Sequence, residues 1–334
     1  MNTTIRPTGF DDTQLLRDAI ASAEPFSTLT LAGVFRVSGS VECRRPNLTL
    51  DCYGACLKQE AEHAKTFLFE NCGNVRVLGA TLFGRGVEKP WKPESTPYNG
   101  VAAAYVSNCV NVLLRNCCIT DHAGGAVVLD GKCDSVRVLD STIVGMGAEH
   151  IRKGDNGCDA AIYGTANSIT KTGIVLRGND ISGHAFGMLI PGDVSATVES
   201  NFIHDIPGQH AMYFTRGGSL IVNSNQVTRC ALIGIKLQHQ TPEDIDPVVS
   251  IQGNNVSDCG SIAIGVLTVG AAAGFRQFNV SIIDNNVTRC GYPLYLRGLR
   301  DMMVAHNRGS KCERGLFKQD CVGMFDDNLF VQCG

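Results

Sequence analysis

One short segment, SNFIHDIPGQHAMYFTRGG, gathers His204, Asp205, His210, Tyr213 and Arg216. Histidine exchanges protons near neutral pH. An elimination beside a carboxylate needs a base, and a cation to stabilise the charge that develops. His210 or Lys236 fits the base, Tyr213 the acid and Arg216 the stabiliser. A hydrolase instead needs two carboxylates. Asp205 and Asp258 recur at matching places with Arg229 between them. If they stand two strand spacings apart, about 9.6 Å, they lie near the upper limit for an inverting pair. The series Asp205, Arg229, Asp258, Arg289 has a plainer reading as a surface ladder of opposite charges, and each histidine has one as a satisfied corner residue.

A second set of side chains suits saccharide. Period-two alternation in GMLI, AMYF, GIKL, AIGV and PLYL points Met188, Met212, Ile235, Ile264 and Leu294 inward. Leu189, Tyr213, Lys236, Gly265 and Tyr295 then face outward, followed two residues on by Thr215, Gln238 and Arg297. Aromatic rings stack on sugar faces, and Lys and Arg pair with uronate carboxylates. The alternative is an ordinary solvated sheet face. Trp91 and Tyr98, in the stretch Arg85–Asn99, and Glu149, His150, Arg152, Lys153 and Asp155, in Gly147–Cys158, offer a second sugar site or lid; Trp91 equally suits packing between Pro90 and Pro93.

What must position these groups is legible from a repeat. Asn179, Asn201, Asn225, Asn254, Asn285 and Asn307 each close a short β-like run, at intervals of 22 to 31 residues. A period in this range means stacked units that cannot bury a hydrophobic face alone. A second column holds Cys230, Cys259, Cys290 and Cys312. Two or three short strands per turn with Asn or Gly at the corners describe an all-β solenoid, a right-handed parallel β-helix of about 11–12 rungs. Asparagine suits a corner because it tolerates left-handed backbone angles, and its amide can bond the next rung about 4.8 Å away. The expected organisation is an N-terminal cap at 1–27 with a short helix and one β-helix domain at 28–334. Insertions are expected near 85–99, 147–158, 239–246 and 269–277.

DDTQLLRDAIASA followed by TLTLAGVFRVSGSV resembles the N-terminal cap of the pectate-lyase-like β-helix superfamily. Asp11 or Asp12 would cap the helix, and Leu15, Leu16, Ile20 and Ala23 form its apolar face. The resemblance implies polysaccharide lyases, glycoside hydrolases, epimerases or phage tailspike adhesins. The paired-Asp and Gly-His-Gly pattern of polygalacturonases is missing, as are the Asp-Pro-His-Glu signature of mannuronan epimerases and the Asp cluster of the pectate lyase calcium site.

Net charge is −3 with dispersed basic residues, which argues against nucleic acid. The N-terminal residues carry no apolar signal region, and no run reaches the length of a membrane span. The expected location is a virion if the chain is phage-encoded, otherwise the cytoplasm. Fifteen cysteines without zinc-type spacing are expected as reduced inward packing, with no metal or other cofactor; any disulfides would involve Cys158, Cys321 or Cys333. Outward Val128, Ile162 and Leu189 would form an apolar stripe suited to a homotrimer. Two function classes follow: a virion spike or tailspike that binds a bacterial surface polysaccharide, with or without cleaving it, beside other virion proteins, or a stand-alone polysaccharide lyase or glycoside hydrolase.

Overall fold

The computed structural model describes residues 2–61, 64–85, 101–122, 124–147, 159–165, 170–215, 218–239, 248–268 and 276–333. Three parallel sheets run along the molecule, with 14, 11 and 12 strands among the described residues. We call them sheets I, II and III in that order. The chain visits I, then III, then II, then I one rung further on. This is the parallel β-helix expected from the repeat. Inward side chains of all three sheets merge into one continuous core from Leu16 to Cys312.

The asparagines stack at the corner from sheet I to sheet III. Asn225 Nδ2 donates to Asn254 Oδ1 at 2.9 Å and to Val198 O at 2.9 Å, and its backbone N–H also donates to Asn254 Oδ1. The same pattern links Asn179 to Asn201 and Asn285 to Asn307, and continues to Asn328, which the repeat did not reveal. Toward the N-terminus the column changes chemistry. Ser141 donates its N–H to Asn179 Oδ1, and Cys117 donates its own to Ser141 Oγ. One expectation is corrected. The ladder asparagines are not the left-handed residues. Each is preceded by one: Gly178, Ser200, Ser224, Gly253, Asp284 and His306 have φ between 54° and 67°. Left-handed asparagines do occur at the corner from sheet II to sheet I, where Asn47, Asn74 and Asn111 form a second, exposed amide ladder.

The N-terminal cap comprises the strand Asn2–Ile5, which pairs with Thr28–Leu31 and extends sheet I, and the helix Thr13–Ser22. Leu16 and Ile20 enter the core. The two aspartates divide the work. Asp11 accepts from the hydroxyls of Ser38 and Thr13, and then from the backbone N–H groups of the same two residues, which lowers its pKa to about 2. Buried Asp12 holds Thr8 and the backbone of Arg36.

All fourteen described cysteines are free thiols. Cys230, Cys259, Cys290 and Cys312 stack inside the coil as expected. Cys72, Cys109 and Cys133 form a further stack, with Cys72 and Cys109 Sγ 3.5 Å apart. Burial pushes Cys117 and Cys133 up to about 11, so neither is a thiolate near neutral pH. Intact mass without reductant is expected to show no rung-to-rung disulfide. Alkylation of the native protein is expected at half-buried Cys56, Cys118, Cys321 and Cys333 first. Cross-links between stacked cysteines in the native protein would contradict this.

The proposed apolar stripe is corrected. Val128 pairs with Tyr163, and Tyr163 with Leu189, whereas Ile162 pairs with Val127 and Met188 and points into the core. Val128 and Leu189 are themselves buried within the single chain. The stripe therefore offers no exposed patch for a trimer.

Candidate functional site

Sheet II is flanked by the longest connections. Strands ending at Phe83 and Val144 in sheet III are followed by strands starting at Ala102 and Ala160 in sheet II. Strands ending at His239 and Thr268 in sheet II are followed by strands starting at Val248 and Arg276 in sheet I. The four expected insertions thus join the coil at the two edges of this sheet. Most of their residues lie outside the described ones, including Trp91, Tyr98 and the Glu149–Asp155 set; so does Arg216.

The outward column expected from alternation is present. Leu189, Tyr213, Lys236, Gly265 and Tyr295 pair rung to rung, and Thr215, Gln238, Leu267 and Arg297 run beside them. Tyr213 donates its hydroxyl to Gln238 Oε1 at 2.9 Å. Lys236 Nζ sits 4.1 Å from the centroid of the Tyr213 ring and 3.4 Å from His210 Nε2. His210 meets Tyr213 edge-on at 5.2 Å and Phe186 at 5.7 Å. These four side chains and Phe186 make one cluster. Gly265 leaves the next rung bare, and beyond it Tyr295 stacks on Phe317 at 4.3 Å with exposed Arg297 alongside.

Burial sets the electrostatics. It lowers His210 to about 3, helped by the adjacent Lys236 charge, and it also lowers Lys236. Burial raises Tyr213. His210 is therefore a neutral imidazole near pH 7 and a weak base. Lys236 is the stronger base once deprotonated, and its downward shift raises the share of free amine that can take a proton. Tyr213 stays protonated, as an acid must.

Asp205 stands apart from this cluster. It lies at the corner from sheet III to sheet II, where Arg229 grips it at 2.5 and 2.7 Å and His204 Nδ1 approaches at 2.6 Å. Arg289 grips Asp258 in the same way. These arginines hold both carboxyls below the usual range. Two ionised carboxylates do not make an acid–base pair, and the series is the charge ladder.

Alternation did not reveal a second polar cluster on the same face, four rungs back. Asp130 accepts from Thr165 Oγ1 at 2.6 Å, from Ser107 Oγ at 3.3 Å and from the Tyr105 hydroxyl. Lys65 Nζ lies 3.5 Å above the Tyr105 ring, and fully buried Lys171 donates to Thr165 O at 3.2 Å. Lys65–Tyr105 and Lys236–Tyr213 thus bracket the apolar strip Val128, Tyr163 and Leu189. The signal available in sequence was Tyr105 and Asp130 in the strands AAAYVS and GAVVLD. These rungs lack the corner asparagine that sets the register elsewhere.

The right handed beta helix region, as a family description, matches residues 150–275. No curated protein matches the sequence. Among solved structures, the chain is similar to PfbA, a surface adhesin of Streptococcus pneumoniae, with TM-score 0.67 and 12% identity over 100% of this chain and 92% of that one. The Azotobacter vinelandii mannuronan C-5 epimerase AlgE4 A-module gives 0.66 and 14% over 97% and 92%. A Yersinia enterocolitica family 28 exopolygalacturonase gives 0.61 and 10% over 99% and 78%. At such identities the likeness is one of fold alone, a right-handed parallel β-helix.

Proposed function

We propose that the protein recognises a polysaccharide along the outward face of sheet II. The observation that carries this is the half-buried cluster of Tyr213, Lys236 and Gln238 against His210, in line with Tyr295 and Arg297. It combines stacking rings with cations on a surface flanked by long connections. Structural neighbours that act on polysaccharides, and one that is an adhesin, support the same reading. Its finer form is a virion spike or tailspike, homotrimeric and held by other virion proteins, that binds a bacterial surface glycan. Light scattering tests the trimer.

The test of binding is a panel of acidic and neutral bacterial polysaccharides. Retained glycan with no new products indicates an adhesin. Unsaturated products seen by ultraviolet absorbance indicate a lyase, and new reducing ends alone a hydrolase. Tyr213→Ala is expected to weaken binding by about 1–2 kcal/mol through lost stacking area. If turnover is seen, Lys236→Met should abolish it, whereas Asp205→Asn should leave it intact. Unchanged binding after replacing both Tyr213 and Lys236 would move the site elsewhere on the coil.

A further inference from the structure

One rung of the outward column of sheet II carries no side chain. From Leu68 to Phe317 each other rung of that column holds a valine, leucine, lysine or aromatic residue, and Gly265 falls between Lys236 and Tyr295. The backbone does not require glycine there. Gly265 lies inside the strand Ile262–Thr268, and its φ is outside the left-handed region. A Cβ added to it would meet one neighbour within 4 Å, the Ile262 Cγ2 methyl at 3.6 Å, which is ordinary van der Waals contact. Glycine inside a strand weakens it and often marks a place where a ligand approaches the backbone. The side chains on either side turn away from the gap. Lys236 Nζ reaches back to the Tyr213 ring, 4.1 Å from its centroid, and to His210 Nε2. Tyr295 lies nearly parallel to Phe317, at 12° and 4.3 Å between centroids. One face of the Tyr295 ring is thus covered from the following rung, and the other is turned toward Gly265. Two rung spacings, about 9.6 Å, separate Lys236 from Tyr295. That leaves one stacking layer between them, with Gly265 as its buried floor and half-buried Lys236 and Tyr295 as its walls. Arg297, exposed beside Tyr295, pairs with no carboxylate among the described residues.

We propose that this gap seats one carboxylate-bearing sugar residue of the bound polysaccharide, and that Gly265 is the specificity-determining position that admits it. This rests on glycan recognition by sheet II, and adds which kind of sugar is read and where. The sugar ring takes the layer that a side chain fills on the other rungs. It stacks on the free face of Tyr295 as Phe317 stacks on the opposite one. Arg297 meets the carboxylate with its guanidinium fork, which matches that planar group. Lys236 adds a second positive charge from the other wall. A neutral sugar keeps the stacking and loses the charge-assisted bonds. A side chain at position 265 would occupy the layer itself, so the size of the residue there decides whether any sugar enters.

The experiment measures binding of polygalacturonate and alginate to the full chain by titration calorimetry, beside the same polymers with their carboxyls reduced to alcohols. Gly265→Val should weaken polyuronate binding about tenfold or more. It should melt at or above the temperature of the unmodified protein, because valine favours a strand that glycine weakens. Gly265→Ala adds one carbon that meets only the Ile262 methyl, so it keeps the fold and should give a smaller loss. Arg297→Gln should weaken polyuronate binding about fivefold and leave the reduced polymer unchanged. Undiminished polyuronate binding in the larger Gly265 variant that folds would overturn the proposal. So would equal binding of a polyuronate and its reduced form, or binding of neutral polysaccharides alone. Each of these results leaves glycan recognition by sheet II in place. If the unmodified protein retains no polysaccharide of any kind, that recognition falls and the role of the gap falls with it.

Discussion

The folded state is expected to lose roughly 2.5 kcal/mol between pH 7 and pH 4.5 through His210 alone. His210 is 5% exposed, its Nδ1 has no partner, and its Nε2 faces the Lys236 ammonium. Burial and that charge hold its folded pKa at about 3, below the 6.5 of the free side chain. The sign follows from proton counting. Below pH 6.5 the unfolded chain binds a proton that the folded chain refuses, so stability is full above 6.5 and falls as pH drops. The slope approaches about 1.4 kcal/mol per pH unit until the folded pKa is reached. Lys236 and Tyr213 also face this ring, but Tyr213 stays neutral throughout, and acid only favours the ammonium that opposes His210 protonation. Urea unfolding at a series of pH values measures the slope. His210→Gln should flatten it by the same amount per unit, and an unchanged slope in that variant would remove His210 from the account.

The fold was legible because one residue type marks one corner of nearly every rung in the C-terminal half. Asn179 through Asn307 need no long-range knowledge, since an amide stacks only on another group that accepts and donates at the same spot. Where Cys117 and Ser141 fill that place the signal fades, although the backbone path is the same. The choice of inward and outward side was legible where polar residues alternate with apolar ones, as at Met212 and Tyr213 or Ile235 and Lys236. It failed at Ile162. The strands GAVVLD and AAIYG are apolar at adjacent positions, and a shift of one residue exchanges the two faces of a strand. Only the pairing of Val127 with Ile162 and Val128 with Tyr163 fixes the answer.

The site was legible in part for the same reason. Tyr213, Lys236, Gln238, Tyr295 and Arg297 share a register that alternation predicts. Proximity between rungs is different, because it depends on loop lengths that vary from one turn to the next. The packing of His210 against Lys236, the Lys65–Tyr105 contact and the His184–Asp159 pair all join residues from different rungs. Asp205 shows the converse. It is adjacent in sequence to His204 and close to His210, yet the corner turns its carboxylate outward to Arg229.

Replacing Asn225 by Leu is expected to destabilise the protein by roughly 3–6 kcal/mol, the largest effect anticipated for a single position. Its side chain accepts from Asn201 N and Asn201 Nδ2 and donates to Val198 O and Asn254 Oδ1. All of this is buried. Leucine has similar bulk but leaves Asn201 N without its acceptor, Asn201 Nδ2 with only Leu176 O, and Val198 O without its donor. Each buried group left unpaired costs about 1–3 kcal/mol. The column itself supplies the comparison. Ser141 fills the equivalent place with a hydroxyl that accepts from Cys117 N and donates to Leu139 O. Asn225→Ser should therefore cost less than Asn225→Leu despite its smaller volume, because a short acceptor still reaches the preceding rung. On the same rung, Ile221 is 41% exposed, and Ile221→Thr should stay within about 0.5 kcal/mol. Urea unfolding at pH 7 ranks the three variants. If Asn225→Ser proves as damaging as Asn225→Leu, volume rather than the amide ladder governs this corner.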